Sequence, residues 1–564
     1  MFLRESRQRR VDGTVISHYQ LAESIWDPAK GRSKTKIVYS FGRARDPQVV
    51  DRLRKLARSI LRRCSPDEIV AEEPGWRVEN AWPYGGLYVL ESLWHRLGIA
   101  EIIATQARTR RITFAVERAL FAMVANRSLA PCSKLYCQAQ WLDEGIRIDG
   151  TRHLDLQHLY RAMDFLEANK EAIERAIFFR VSDVLSLDVD LIFYDTTSLH
   201  FEVDEEDEGA GEEDTIRGSR ASGAKPYAAP RKRGHSKNGR SDAPQIVVGV
   251  AVTRDGLPVR HWVFPGNTVD VTTVTQVKAD LKGWSLGRCV FVGDAGMVSR
   301  ANLRTLSLGG GKYIVCSPVH RGGEVASDVL ARAGRFQTVA GNLRVKEVIV
   351  GDGERRRRYV VCHNPEEEAR QRHHRATVLD ELKAELASLA ATEDGGVHSK
   401  RACSLRSSRR YGKYVRMLRS GHLRIDRGAV RLAEKHDGKF VVHSNDDTLE
   451  AEDMALGYKQ LMRVEQAWRT LKSSIQLRPV YHWAPHRIHA HVALSILSLL
   501  LERVAERECG DTWRNIRDDL EQIKLARLSG PNGSIWQVTE PGTNARKRLK
   551  SLGIANPPAV LDHA

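Results

Sequence analysis

Two short apolar runs, each closed by an aspartate, constrain this chain more than any other feature. In LIFYDTTSLHFE, residues 191–194 read as a buried strand, and Asp195 follows where the strand is still buried. In CVFVGDAGM, residues 289–293 repeat the pattern and end on Asp294, with Gly293 and Gly296 around it. Glycine there lets the backbone turn sharply and a ligand approach closely. A buried carboxylate without a partner costs several kcal/mol, so such a position demands a neighbouring cation or a bound one.

The two runs stand in an ordered series. Strand patterns over 191–197, 245–253 and 257–264 are followed by a helical pattern, VTTVTQVKADLKGW, and by strands over 289–293 and 312–318. Three antiparallel strands, a helix and a parallel strand are the opening of an RNase H-like sheet. Residues 319–440 interrupt it with strand-like and helical segments, and GKFVVHSN restores a strand over 438–445. The predicted class is therefore α/β: an RNase H-like core carrying an inserted mostly-β subdomain with a helical arm. The expected organisation is a β-ribbon and helix over 1–75, a helical DNA-binding or dimerisation region over 76–188 and a first core part over 189–318. The insertion over 319–440, a second core part over 441–510 and a basic tail over 511–564 complete it. Neighbouring strand ends would bring Asp195 and Asp294 together. Like charges repel unless a cation lies between them, and hard divalent cations prefer oxygen ligands.

The formal net charge of +17 points to a polyanionic partner, nucleic acid before an anionic membrane. The N-terminus lacks the apolar run of a secretory signal. HVALSILSLLLERV reads as a core helix, too short and too closely flanked by charge to span a bilayer. Eight cysteines without a CxxC pair fit reduced thiols in a cytosolic protein. The segment between the first two strands is acidic over 202–214, then basic and glycine-rich over 217–240. It reads as a surface loop whose basic half orders on nucleic acid and whose acidic half masks it beforehand. Lys225, Arg231, Lys232, Arg233, Lys237 and Arg240 are its candidate phosphate contacts.

A third acid is expected on the helical pattern TLEAEDMALGYKQLMRVEQAWRTLKSSI. Asp447 with Glu450 has capping-box spacing. Met454, Leu461, Val464, Trp468 and Leu471 give an apolar side, and Glu465 interrupts it. Tyr458 and Lys472 lie seven residues to either side of Glu465, which puts phenol, carboxylate and ammonium along one stripe. Trp468 and Trp483 read as core residues, with base stacking as the alternative. His482, His489 and His491 lack the ligand spacing of a zinc site.

At these residues the chain resembles bacterial insertion-sequence transposases of the DDE class. The likeness is to the branch with a β-strand insertion before the catalytic glutamate and a Tyr-Arg-Glu-Lys helix signature. It is carried by YDTTSLHFE, HSKNGRSDAPQIVVGVAV, VFPGNTVD, VGDAGM, YKQLMRVEQAWRTLKSSIQLRPVYHW and RIHAHVALSILSLLL. The resemblance implies that Asp195, Asp294 and Glu465 are the catalytic, metal-holding triad and that Tyr458 and Lys472 contact DNA phosphate. The signature arginine falls on Leu461. Arg463 stands close by on a different helical face and is the remaining candidate for a DNA contact. The implied cofactor is Mg²⁺, with Mn²⁺ able to substitute. The implied activity is cleavage at element ends and their joining to target DNA by two-metal phosphoryl transfer. The implied partners are double-stranded DNA carrying terminal inverted repeats and further copies of the chain in a synaptic complex, at the bacterial nucleoid in the cytoplasm and not at a membrane. A metal-dependent nuclease without strand transfer, or a non-catalytic DNA-binding protein, are the alternative functions.

Overall fold

The computed structural model describes residues 1–11, 14–28, 30–61, 63, 77–108, 112–187, 189–207, 230–237, 239–286, 289–317, 325–352, 356–392, 395–530 and 533–561. The chain forms two compact units: residues 1–81, 526–537 and 560–564 in one, residues 82–525 and 538–559 in the other.

In the first unit, β1 (Phe2–Arg9), β2 (Val15–Asp27) and β3 (Arg32–Arg43) make an antiparallel sheet, followed by a helix, Pro47–Leu61. The sequence signals strands only from residue 12 onward. FLRESRQR lacks an apolar alternation because nearly all of its side chains are exposed, yet it pairs residue for residue with Val15 to Ala22. A second sheet joins β4 (Arg77–Pro83) to Lys524–Gly530, Gly533–Val538 and Val560–Leu561. Residues 511–564, expected as a basic tail, thus hold strands as well as the helices Trp513–Leu520 and Thr543–Ser551.

The second unit is mixed α/β. Its helical region holds Gly85–Arg96, Ile99–Arg108, Val116–Leu129, Leu156–Ala168 and Lys170–Val184, as the 3.6-residue periodicity predicts. Its centre is a nine-stranded sheet. β5 (Leu191–His200), β6 (Gln245–Thr253) and β7 (Pro258–Pro265) run antiparallel. The helix α1 (Asp270–Gly283) then leads to β8 (Val290–Gly293), which lies parallel to β5, and β9 (Tyr313–Ser317) lies parallel to β8.

The insertion departs from expectation. Its strands β10 (Gln337–Ala340), β11 (Leu343–Val350) and β12 (Arg357–His363) are not a separate mostly-β subdomain but extend the central sheet. β12 is buried on both faces through Val360, Val361 and Cys362, so its buried backbone N–H and C=O groups need a strand on each edge. It takes β11 on one edge and β15 (Lys439–Ser444) on the other. The rest of the insertion is mainly helical: α2 (Pro365–Ala390), Gly395–Ser407, the short hairpin of β13 (Val415–Met417) and β14 (Leu423–Ile425), and Arg427–His436. It packs around its own core of Val378, Leu382, Leu389, Leu405 and Tyr414.

After β15 come α3 (Ala451–Lys459), α4 (Met462–Ser473) and α5 (Pro485–Cys509). The single helix expected here is two helices. The N–H groups of Arg463 and Val464 bond to carbonyls three residues back, at 2.8 and 3.0 Å, which tightens the chain into a 3₁₀-like turn. The expected capping box is absent, because Asp447 pairs with Arg356 at 2.9 Å and Glu450 caps without a side-chain bond. Helix α5 is longer than the sequence suggested. By length and composition it could cross a membrane, but 89% of its apolar window is buried. It is a core helix of this unit.

The sheet is covered on both faces. Leu191, Phe193 and Val292 face Val464, Ala467, Trp468 and Leu471 of α4 together with α3 and α5. Ile192, Tyr194 and Phe291 face Val274, Val277 and Leu281 of α1. Alternate residues of a strand point to opposite faces, so this division fixes where the two aspartates project.

Candidate active site

β5 and β8 pair in parallel through Leu191↔Val290 up to Tyr194↔Gly293. Asp195 is the next residue on β5, and Asp294 directly follows the end of β8; the two strands lie roughly 4.8 Å apart. Asp195 shares parity with Leu191 and Phe193, and Asp294 with Val292, so both project to the face covered by α3 and α4.

The two acids have different surroundings. Asp195 is half-buried. The Lys237 ammonium lies 3.8 Å from its Oδ1 and 2.9 Å from Oδ2 of Asp270, the first residue of α1. Lys237 Nζ also donates to the Thr196 carbonyl at 2.8 Å and to its Oγ1 at 2.7 Å, and the Thr196 hydroxyl donates to Asp270 Oδ1 at 2.5 Å. Burial pushes the Asp195 carboxyl above its ordinary range; the Lys237 ammonium opposes this, and the charges of Asp294 and Asp270 add to it. Asp294 is exposed. It begins the turn Ala295–Met297 without a side-chain cap, and it accepts a hydrogen bond from the Tyr458 hydroxyl at 3.1 Å. Burial raises the Tyr458 phenol, with Cys316 and Asp294 adding to the shift, so it donates as a neutral hydroxyl.

Tyr458 lies on α3, whereas Glu465 and Lys472 lie on α4, so the unbroken stripe of the sequence reading is interrupted at residues 460–461. Glu465 is exposed in the first turn of α4. Lys472 is half-buried; burial lowers its pKa, helped by Arg478 and Lys237 and opposed by Asp195. That places Lys472 within electrostatic reach of Asp195. Leu461, where the signature arginine was expected, is buried in the core under the sheet. Arg463 is exposed, 3.4 Å from Gln466 Oε1. Among the described residues, no three His, Cys, Asp or Glu side chains are gathered to hold a metal ion. The structure sets Asp195 and Asp294 side by side, links Asp270 to Asp195 through the Lys237 ammonium and, among the described residues, gathers no third carboxylate, Glu465 included, into a metal-holding group.

Residues 213–501, just over half of the chain, match the family model of the transposase DDE domain. The chain belongs to the DDE transposase family. Residues 3–73 match the N-terminal domain of the IS1634 family transposases. Asp294, Tyr458, Glu465 and Lys472 lie within the DDE match, and Asp195 precedes it. No curated protein matches the chain. A solved piggyBac transposase synaptic complex with hairpin DNA aligns over 76% of this chain and 79% of its own. The identity is 11% and the TM-score 0.34, which carries no argument about details. The transposase is a metal-dependent enzyme that acts on DNA. Two of its carboxylates, Asp195 and Asp294, offer the hard oxygen donors a divalent cation takes, and a cation, the Lys237 ammonium, already stands 3.8 Å from Asp195.

The basic loop of the transposase is only partly free. Lys225 lies outside the described residues. Arg231 is buried: its Nε donates to Asp207 Oδ1 at 2.7 Å, its N–H to Asp207 Oδ2 at 2.9 Å, and its guanidinium lies 4.6 Å from the Trp483 ring centre. In this conformation it holds the loop and is not offered to phosphate. Lys232 Nζ donates to the Asp207 carbonyl, and Arg233 donates to Asp242 O at 3.1 Å. Arg240 pairs with Asp242 at 3.0 Å and Glu202 at 3.5 Å. Acids of the loop's first half therefore face its bases, as the masking reading expects. Trp468 is buried as predicted, but Trp483 is 67% exposed and no core residue, because Arg231 supplies its only close aromatic-face partner among the described residues. His489 and His491 serve Glu167 and the Leu477 carbonyl.

The sequence reading missed Asp270 and Arg478. Asp270 closes the quoted VFPGNTVD, but an acid in the first turn of a helix is explained by the helix dipole alone. Arg478 lies 2.8 Å from His200 Nδ1, and its charge helps lower the Lys472 pKa. Its only signal was its place in QLRPVYHW.

Proposed function

We propose that the transposase binds the terminal inverted repeats of an insertion sequence, cleaves at the element ends and joins them to target DNA at one RNase H-like site. The adjacency of Asp195 and Asp294 on parallel strands, projecting to one face, is the observation that carries this reading. Asp195, Asp294 and Glu465 are the ligands for Mg²⁺, with Mn²⁺ as a substitute. Glu465 lies on a helix packed on that same face and completes the set as DNA is bound. The cations supply Lewis-acid activation of the attacking oxygen and stabilisation of the leaving 3′-oxygen.

The protein's own groups orient and neutralise. The neutral Tyr458 hydroxyl holds the Asp294 carboxylate in one rotamer. Lys472 and Arg478 present positive charge toward the Asp195 side and take the phosphates flanking the scissile bond, and the exposed Arg463 takes a phosphate further out. Arg233 and Arg240 exchange their carboxylate partners for phosphates when DNA displaces the acidic half of the loop. The β-ribbon unit and the helical region bind the ends, and two or more copies of the chain assemble the synapse on cytoplasmic DNA.

The test is a donor fragment carrying a 3′-hydroxyl end incubated with a target plasmid and Mg²⁺. Joined products are expected from the wild type and are lost in Asp195→Ala, Asp294→Ala and Glu465→Ala. Cleavage without any joined product would refute the transfer step.

A further inference from the structure

We propose that Asp270 is a positioning residue of this site: it takes up the charge of Lys237 and so keeps Asp195 available to a divalent cation. The inference rests on the reading of Asp195 as a metal ligand.

The argument begins at the end of β8. That strand stops at Gly293, so beyond Tyr194 the corresponding edge of β5 has no strand partner from β8. The segment around Lys237 lies against this stretch. Its backbone N–H donates to Ser198 Oγ at 2.9 Å, and its ammonium donates to the Thr196 carbonyl. The ammonium is thus delivered beside Asp195 by the fold itself. Unopposed, it would close on that carboxylate as a permanent ion pair and occupy the oxygens a metal needs.

Distance decides which acid it serves. Lys237 Nζ is at 2.9 Å from Asp270 and 3.8 Å from Asp195, hydrogen-bonding range for the first and beyond it for the second. Thr196 tightens the preference, because its hydroxyl is bonded to Asp270 Oδ1 while its Oγ1 accepts from the same ammonium. Asp270 is fixed in turn by its place at the start of α1, where a negative charge is favoured. α1 is anchored to β5 by the Tyr194 hydroxyl, which donates to Thr273 Oγ1 at 3.0 Å. One acid holds the ammonium and the other faces the cation site.

The test is a double-mutant cycle on the full-length protein, reading Mn²⁺ affinity by calorimetry or electron paramagnetic resonance, with thermal melts to check folding. Asp270→Asn frees Lys237 to close on Asp195, and Mn²⁺ affinity falls about 10–100-fold, the range for a residue that orients a metal ligand. Lys237→Met removes the ammonium that Asp270 already holds, and Mn²⁺ binding is retained or tightened. In the double variant affinity returns at least to the wild-type value, since no ammonium remains to intrude. A purely structural role for Asp270 leaves the double variant as weak as the single one and overturns the proposal. So does unchanged affinity in Asp270→Asn, or weaker Mn²⁺ binding in Lys237→Met, which stands as a test even where Asp270→Asn fails to fold. Asp195→Asn is the control: if it binds Mn²⁺ like the wild type, the metal reading of Asp195 fails rather than the role of Asp270.

Discussion

The two aspartates at the centre of the sheet are neighbours in register and opposites in surroundings. Asp195 is half-buried and faces an ammonium, and a threonine and a second aspartate hold that ammonium. Asp294 is exposed, and its carboxylate accepts a hydrogen bond from the Tyr458 hydroxyl. One half of the site is wired into the fold and the other is left open to a ligand. On the wired side, burial pushes the Asp195 carboxyl up and the Lys237 ammonium opposes it; the open side presents its carboxylate to solvent.

The comparison can be broken at several strengths. The largest effect is expected where the two halves must act together. Asp195→Ala, Asp294→Ala and Glu465→Ala should each reduce end cleavage well beyond the about 10–100-fold loss typical of a supporting residue, while mobility-shift assays show end binding largely intact. If only the wired half mattered, Asp294→Ala would retain cleavage. Next comes the buried arginine of the basic loop, Arg231. Arg231→Ala leaves Asp207 without its charged partner and should cost about 3–5 kcal/mol in urea unfolding, whereas Arg240→Ala on the exposed end of the loop should leave the unfolding curve nearly unchanged. On the open half, Tyr458→Phe removes a hydrogen bond to a charged acceptor, worth about 1.5–3 kcal/mol. Cleavage should fall about tenfold or more, with DNA affinity unaltered. The smallest effect concerns salt. Arg233→Gln and Arg240→Gln should each lower the slope of log K against log salt concentration by about 0.9 if each contacts a phosphate. An unchanged slope would assign both arginines to the loop's own acids.

Much of the sheet was legible in the sequence. β6 runs from Gln245 to Thr253, as QIVVGVAVT indicates, because a strand covered on both faces is an unbroken apolar run. Asp195 and Asp294 were legible for the same reason, as acids that end such runs. What failed were features set by partners distant in sequence. The strands 337–363 read as a separate subdomain because nothing local shows that β12 pairs with β15. The break between α3 and α4 was hidden because Leu461 and Val464 continue the apolar period across it. Trp483 was misassigned because its environment depends on Arg231, more than 200 positions away. Asp270 was hidden by a sufficient local explanation for an acid at a helix start.

The order of strands across the sheet has a consequence for synthesis. β9 stands between β8 and β15, yet more than a hundred residues of insertion separate β9 from β15 along the chain. A ribosome that has released residues up to the insertion has delivered both aspartates but neither Tyr458 nor Glu465, and the sheet cannot close past β9 until β15 emerges. Pairings this distant form late and slowly. The nascent polypeptide accordingly leaves one face of β5 and β8 uncovered until α3, α4 and α5 emerge near the end of the message.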